Sequence, residues 1–224
     1  MRSETHLMAI YETLRAAFGD REWWPAETPF EVIVGAILTQ NTNWTNVEKA
    51  IGRMREEGLL EAHALAACPP ERLQAAVRPS GYFRQKAARL LRLAAWLVER
   101  CNGDPKALGS VPTPELREEL LSLRGVGPET ADSILLYALG RPVFVVDTYT
   151  MRVAVRHGLA DAECGYHELQ DLFQGALPDD VGLYGDFHAQ FVEVGKRFCR
   201  PRPRCSACPL HALLGDLQTE ESWS

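Results

Sequence analysis

Apolar residues recur at helical spacing along almost the whole chain. Leu7, Ala9, Ile10 and Leu14 form one stripe, and Phe30, Ile33, Val34, Ile37 and Leu38 form a second. Leu90, Leu91, Leu93, Ala94, Leu97 and Val98 form a third. Recurrence near 3.6 residues places these side chains on one face of a helix and leaves polar residues for the other. Gly19, Gly58, Gly103 and Gly158 follow periodic stretches and read as helix stops, while prolines open or break other helices. Alternation at period two is nearly absent. Val143-Phe144-Val145-Val146 is the only strand-like run, and it is short enough to be a buried connector. With no internal repeat and no low-complexity linker, the pattern predicts an all-α protein.

One pair of helices is joined by an unusual turn. Thr113-Pro114-Glu115 reads as a helix start, with Thr113 as cap and Pro114 at the first position. Leu116, Leu120 and Leu123 give that helix an apolar side. Gly125-Val126-Gly127 then makes a tight turn in which both glycines can take backbone angles closed to other residues. Pro128 opens the next helix, Ala131, Ile134, Leu135 and Ala138 form its buried side, and Gly140 with Pro142 ends it. Such a turn presents backbone N–H groups at a helix N-terminus, an anion site that reads phosphate and carries no base sequence. A plain helix-turn-helix corner gives the same pattern. Downstream, Asp147-Thr148 stands where a helix running to about His157 would begin, so Asp147 reads first as an N-cap.

Bulk composition narrows the classes. The 224 residues suit one large or two small domains, and 46% are hydrophobic, as in an ordinary globular protein. No apolar run is long enough to span a bilayer. Met1 to Ile10 carries Arg2, Glu4 and His6 without a signal-peptide core, so a soluble, cytoplasmic protein is expected. The net charge of -6 weighs against a broad electrostatic clamp on DNA and leaves room for a local one. Lys196, Arg197, Arg200, Arg202 and Arg204 form such a stretch with no acid among them. Arg84, Lys86, Arg89 and Arg92 form another, read as a solvated helix face. Of the six cysteines, Cys68, Cys101 and Cys164 are scattered and read as buried thiols. Cys199, Cys205 and Cys208 cluster as C-x5-C-x2-C among Pro201, Pro203 and Pro209, a spacing that suggests a metal site. His211 could complete a Cys3His set, which would equally suit structural zinc.

Taken in order, Ile37-Leu38-Thr39-Gln40-Asn41-Thr42, Leu123-x-Gly125-Val126-Gly127-x-x-Thr130-Ala131-Asp132, Val146-Asp147-Thr148 and the terminal cysteines resemble the helix-hairpin-helix DNA glycosylases of the endonuclease III superfamily. The resemblance implies a six-helix barrel over residues 28–140, ending in the hairpin at 113–140. A second helical domain would combine 1–27 with 141–224 and carry the cysteine loop at 199–211. Double-stranded DNA containing a damaged base would lie in the cleft between the domains, with one nucleotide flipped out. Gly125, Val126, Gly127 and Thr130 of the hairpin would meet DNA, as would Arg200, Arg202 and Arg204. Gln40 would fill the gap left in the stack; otherwise it is a polar loop residue bonded to Asn41 and Thr42. Many family members carry a [4Fe–4S] cluster near the C-terminus. The resemblance puts one on Cys199, Cys205 and Cys208, with His211, a remote cysteine or Asp216 as fourth ligand. Leu214 occupies the family's fourth cysteine position. The protein is expected to be a monomer.

Asp147 matches the family's catalytic aspartate. Breaking the bond between base and sugar leaves positive charge on the sugar, which a nearby carboxylate stabilises once the nucleotide is flipped into reach. The bifunctional branch of the family has a lysine where this chain has Glu129, and that lysine attacks the sugar as a Schiff-base nucleophile. Glutamate cannot form an imine, and this chain's lysines, Lys49, Lys86, Lys106 and Lys196, all lie outside the hairpin. That branch also usually has histidine where this chain has Tyr149. A hairpin glutamate together with Trp23-Trp24-Pro25 is similar to the 3-methyladenine DNA glycosylase III group, in which an aromatic pocket receives alkylated purines. Trp23, Trp24, Pro25, Trp44 and Glu129 are the corresponding pocket residues, and aromatic faces attract a cationic base. Glu129 also suits a helix first turn on electrostatic grounds alone, and the tryptophans also suit core packing. One departure is Gln190, within Phe187-His188-Ala189-Gln190-Phe191, where that group can place a lysine. The expected activity is monofunctional removal of an alkylated purine. The alternatives are an endonuclease III-like glycosylase with abasic-site lyase activity on oxidised pyrimidines, a noncatalytic damage-binding protein and a zinc-stabilised architectural protein.

Overall fold

The computed structural model describes residues 2–21 and 24–213, and among these there is no strand. The helices are α1 (Arg2–Phe18), α2 (Pro29–Leu38), α3 (Trp44–Glu56), α4 (Ala62–Ala66), α5 (Pro70–Val77), α6 (Phe83–Cys101), α7 (Thr113–Ser122), α8 (Pro128–Ser133), α9 (Thr148–Arg156), α10 (Tyr166–Ala176) and α11 (Val181–Arg197). The chain divides into two compact units, Trp24–Arg141 and Met1–Trp23 with Pro142–Ser224.

In the Trp24–Arg141 unit, α2 is apolar nearly all round and buried from Phe30 to Leu38, as befits a central helix. Thr28 caps it, its Oγ1 accepting the Glu31 N–H at 3.1 Å. The hairpin is α7 and α8. Leu116 and Leu120 of α7 and Ala131, Ile134 and Leu135 beyond the turn are buried, as their spacing predicts. Thr113 is not the cap: Pro112, already extended at φ -56 and ψ 138, occupies that position and no side chain closes the helix end. What clamps the hairpin is an ion pair. Arg117 Nε and Nη2 reach both oxygens of the fully buried Asp132, at 2.7 and 3.0 Å. After Ser133 the helix widens into one π turn, Ile134–Ala138, and ends at Gly140 with φ 61.

The second unit is held by an aromatic core. Phe144 stacks on Phe173 at 4.3 Å, and Phe187 stacks on Phe191 at 4.7 Å. Leu7, Ile10 and Leu14 of α1 are fully buried. The strand-like run 143–146 is a buried extended connector. Two amides of α10 serve it in place of a partner strand: Gln174 Oε1 accepts the Phe144 N–H at 2.8 Å, and Gln170 Nε2 donates to the Phe144 carbonyl at 2.7 Å. A buried peptide group needs such partners wherever they come from. The connector delivers the chain to Asp147.

Arg117→Ala would leave Asp132 charged and buried without its guanidinium. The expected loss in urea unfolding is about 3–5 kcal/mol; a loss below about 1 kcal/mol, the scale of a surface pair, would show that the clamp is dispensable.

Candidate active site

Asp147 is the N-cap of α9. Its Oδ1 accepts the Thr150 N–H at 2.7 Å, and its Oδ2 lies 3.7 Å from Nε2 of His188 on α11. Burial pushes the carboxyl up, but His188 and the Thr150 N–H outweigh it and hold the carboxyl below its ordinary value. The helix N-terminus favours the same ionised form. Asp147 is thus an anion in a fixed direction at neutral pH. Tyr149 fits beside this end of α9 because Gly195 of α11 has no Cβ to occupy the ring's space. His188 was not among the sequence candidates. It lies between Phe187 and Phe191 on a buried stretch of α11, where a lone histidine is conspicuous, but nothing in the pattern links it to Asp147. Gln190 is fully buried, and its Nε2 donates to the Gly19 carbonyl at 2.8 Å. The place where a related group can put a pocket lysine therefore holds a side chain that ties α11 to the end of α1.

The hairpin turn differs in detail from its sequence reading. Gly125 has φ 97 and needs to be glycine, whereas Gly127 has φ -101, which any residue adopts. Val126 and Thr130 are buried, so their side chains face the interior and the turn offers main chain to a ligand. Gln40 bonds neither of its expected neighbours, Asn41 or Thr42. Its Nε2 donates to the Gly125 carbonyl at 3.2 Å and to Thr130 Oγ1 at 2.9 Å, and its Oε1 accepts from Arg89. The basic stretch on α6 is therefore only partly a solvated face: Arg84 and Arg92 are exposed, whereas Arg89 is half-buried. Lys86 is buried and donates to the carbonyls of Leu38 at 2.8 Å and Ser80 at 2.6 Å, while Arg92 donates to the Arg124 carbonyl at 3.0 Å. These bonds gather the Gln40 loop, the turn before α6 and the hairpin on one side of the unit. The turn before α6 carries Tyr82, 65% exposed at φ 44, followed by Phe83 with the guanidinium groups of Arg78 and Arg84 at 5.7 and 5.8 Å. A bulky aromatic after Gly81, ahead of a basic helix start, was the available signal for this exposed ring.

Trp24, Pro25 and Trp44 border a cavity of about 410 Å³ within the same unit. Trp24 is held at φ 75, with Trp44 edge-on at 5.7 Å and Tyr137 at 5.1 Å. Its indole lies over Gly35, where a Cβ would come within 3.0 Å. The lining is also charged: Arg55 bonds both oxygens of Glu31 at 2.9 Å and lies 3.3 Å from Glu27. Glu129 is exposed in the first turn of α8 and is not part of this lining. Trp23 lies outside the described residues.

The cysteine loop is held by α9. Arg152 donates to the Cys199 carbonyl at 2.8 Å. Arg156 donates to Cys199 Sγ at 3.4 Å, to the Arg200 carbonyl at 2.6 Å and to the Pro201 carbonyl at 3.1 Å. Burial, with Cys199 and Cys205 nearby, pushes the Cys208 thiol up to about 11. Among the described residues no three or more His, Cys, Asp or Glu side chains are arranged to hold a metal. Cys199, Cys205, Cys208 and His211 therefore do not assemble as the expected ligand set. Three sulfurs are one short of a four-thiolate site, His211 is exposed and Arg156 already points at Cys199. Asp216 and Leu214 lie outside the described residues. Three sulfurs, an exposed histidine and a guanidinium on Cys199 do not make a complete ligand set among the described residues. Arg200, Arg202 and Arg204 are exposed.

Residues 34–179 match the family of HhH-GPD superfamily base excision DNA repair proteins. Over 202 residues the chain is 46% identical to a candidate DNA repair glycosylase of Methanocaldococcus jannaschii, covering 90% of this chain and 92% of that one. It is similar to the H. pylori 3-methyladenine DNA glycosylase bound to 1,N6-ethenoadenine, with TM-score 0.75 and 29% identity over 87% of this chain and 97% of that one. A non-covalent endonuclease III–DNA complex gives TM-score 0.80 at 26% identity, covering 94% of each chain.

Lys86 offers a pH test of the assembly behind the hairpin. Burial lowers its pKa from 10.5 to about 8. Between those values the unfolded chain holds a proton that the folded chain has lost, so this group makes stability rise with pH. Urea unfolding across that window should show a positive slope, relative to Lys86→Met, of at most about 1.4 kcal/mol per pH unit. Equal slopes would mean that Lys86 keeps an ordinary pKa.

Proposed function

We infer the reaction from one premise: the chain belongs to the HhH-GPD superfamily of base excision DNA repair proteins, as an endonuclease III-like DNA glycosylase. On that premise it hydrolyses the N-glycosidic bond of a damaged base in double-stranded DNA, acts without lyase activity and prefers alkylated purines. The observation that carries this reading is the Asp147 carboxylate, kept ionised and aimed by the start of α9 beside His188.

The chemistry follows from that charge. The bond between the base nitrogen and C1′ breaks, and its electron pair leaves with the base. The deoxyribose becomes electron-deficient at C1′, and a fixed anion lowers the energy of that state without reorganising. Water then adds to C1′ and its proton passes to solvent. Asp147 stabilises the sugar and orients the water. A 3-methylated adenine is cationic before the reaction and departs neutral, so no strong nucleophile is required. The hairpin main chain and the exposed Arg200, Arg202 and Arg204 serve as phosphate contacts. Gln40 serves the vacated stack position.

Two observations support the finer assignments. The first concerns the amine that a lyase needs. Glu129 stands in the hairpin, and Lys86, which has a lowered pKa, is buried with its Nζ on two carbonyl oxygens. The second concerns the base. Trp24 and Trp44 border a cavity whose lining also carries Glu27, Glu31 and Glu48 against one Arg55, a lining that favours a flat cation. The similar H. pylori protein is a 3-methyladenine DNA glycosylase. The rival is an endonuclease III-like lyase on oxidised pyrimidines, favoured by the likeness to the endonuclease III–DNA complex.

The deciding experiment offers duplexes carrying 3-methyladenine, an oxidised pyrimidine or uracil, with and without alkali. Release of the methylated purine, with strand cutting only after alkali and no adduct trapped by borohydride, is the expected result. A trapped covalent adduct would reverse the monofunctional assignment, and release of the oxidised pyrimidine alone would reverse the substrate assignment.

A further inference from the structure

Lys86, Arg89 and Arg92 fall on one face of α6, and each ends on a different loop. Arg89 is the middle member. A guanidinium only donates, so the Gln40 atom that meets it must be the oxygen. The Gln40 NH₂ group is then left facing the Gly125 carbonyl and Thr130 Oγ1, which it bonds at 3.2 and 2.9 Å. The turn closes directly onto the same guanidinium: a Cβ on Gly125 would lie 2.5 Å from Arg89 Nε. Arg92 holds the preceding carbonyl, that of Arg124, toward α6. In a planar trans peptide the N–H of Gly125 then points the opposite way. The direction of the hairpin's main-chain donors is thus set from α6, through groups that do not lie on the hairpin.

Resting on the DNA glycosylase reading, we propose that Arg89 is a positioning residue for the DNA-binding edge, locking the Gln40 carboxamide to the Gly125 turn so that the two loops meet the duplex as one surface. It acts through Gln40 and not by neutralising a phosphate. The contribution of Arg89 therefore passes through Gln40, and once Gln40 is removed the loss of Arg89 costs nothing more.

The test is a double-mutant cycle on binding to a duplex that carries a stable abasic-site analogue, run across a range of salt concentrations. Arg89→Met keeps the stem beneath Gly125 and removes the donor; Gln40→Ala removes the acceptor. Each single change should weaken binding about tenfold, and the double variant should bind no worse than the weaker single. The slope of log affinity against log salt should match wild type for Arg89→Met. Multiplying losses would overturn the proposal, because the two side chains would then act apart. A slope smaller by about one phosphate contact would also overturn it, because Arg89 would then touch DNA itself. Should Arg89→Met fail to fold, Arg89→Gln enters the same cycle under the same criteria. Wild-type protein that ignores the damaged duplex would sink the glycosylase reading and this proposal with it. Wild-type binding with multiplying losses sinks the proposal alone.

Discussion

A glycine turn has no side chains with which to fix its own shape, and the order of the Trp24–Arg141 unit depends on how that is overcome. The turn at Gly125 is bent to φ 97, and Val126 is its buried side chain. Its geometry is imposed by charge. Arg117 and the buried Asp132 clamp the two hairpin helices, while Arg89, through Gln40, and Arg92 hold the turn's carbonyls from behind. A buried ion pair such as Arg117–Asp132 adds little net stability compared with apolar packing, but removing one partner is costly.

The other unit uses a different device toward a comparable end. A short apolar connector runs through the core, with its peptide groups served by Gln170 and Gln174. It emerges at Asp147, whose carboxylate starts α9. One helix then has two tasks. Its first turn orients the carboxylate, and its last turns carry Arg152 and Arg156 to the carbonyls of the basic loop at 199–201. The anion and the exposed arginines beyond Cys199 are coupled in position through the length of α9.

Much of this was legible in the sequence because it depends on local chemistry. Helical spacing gave the elements, Gly-Val-Gly between two apolar stripes gave the hairpin, and Asp147-Thr148 gave both a cap and a carboxylate. Some of the misreadings depend on partners distant in the chain, and others on the local backbone. Arg84, Lys86, Arg89 and Arg92 read as a solvated face, which fails at buried Lys86 and half-buried Arg89, because a basic stripe looks the same whether it meets water or protein oxygens. His188 could not be paired with Asp147 by spacing. Thr113 lost its capping role to Pro112, whose fixed φ already suits the position. Gly127 was grouped with Gly125 although only one of them needs the left-handed region. Nor did the pattern show Arg156 on Cys199.

The central claim is that the charge of Asp147, and not merely its place in the fold, drives loss of the base. Asn caps helices as well as Asp does, so Asp147→Asn removes the charge and keeps the start of α9. The direct measurement is single-turnover base release by this variant on the preferred lesion, with affinity for an abasic-site duplex measured alongside. Release should fall by about a hundredfold or more while affinity is retained. Release at the wild-type rate would contradict the account.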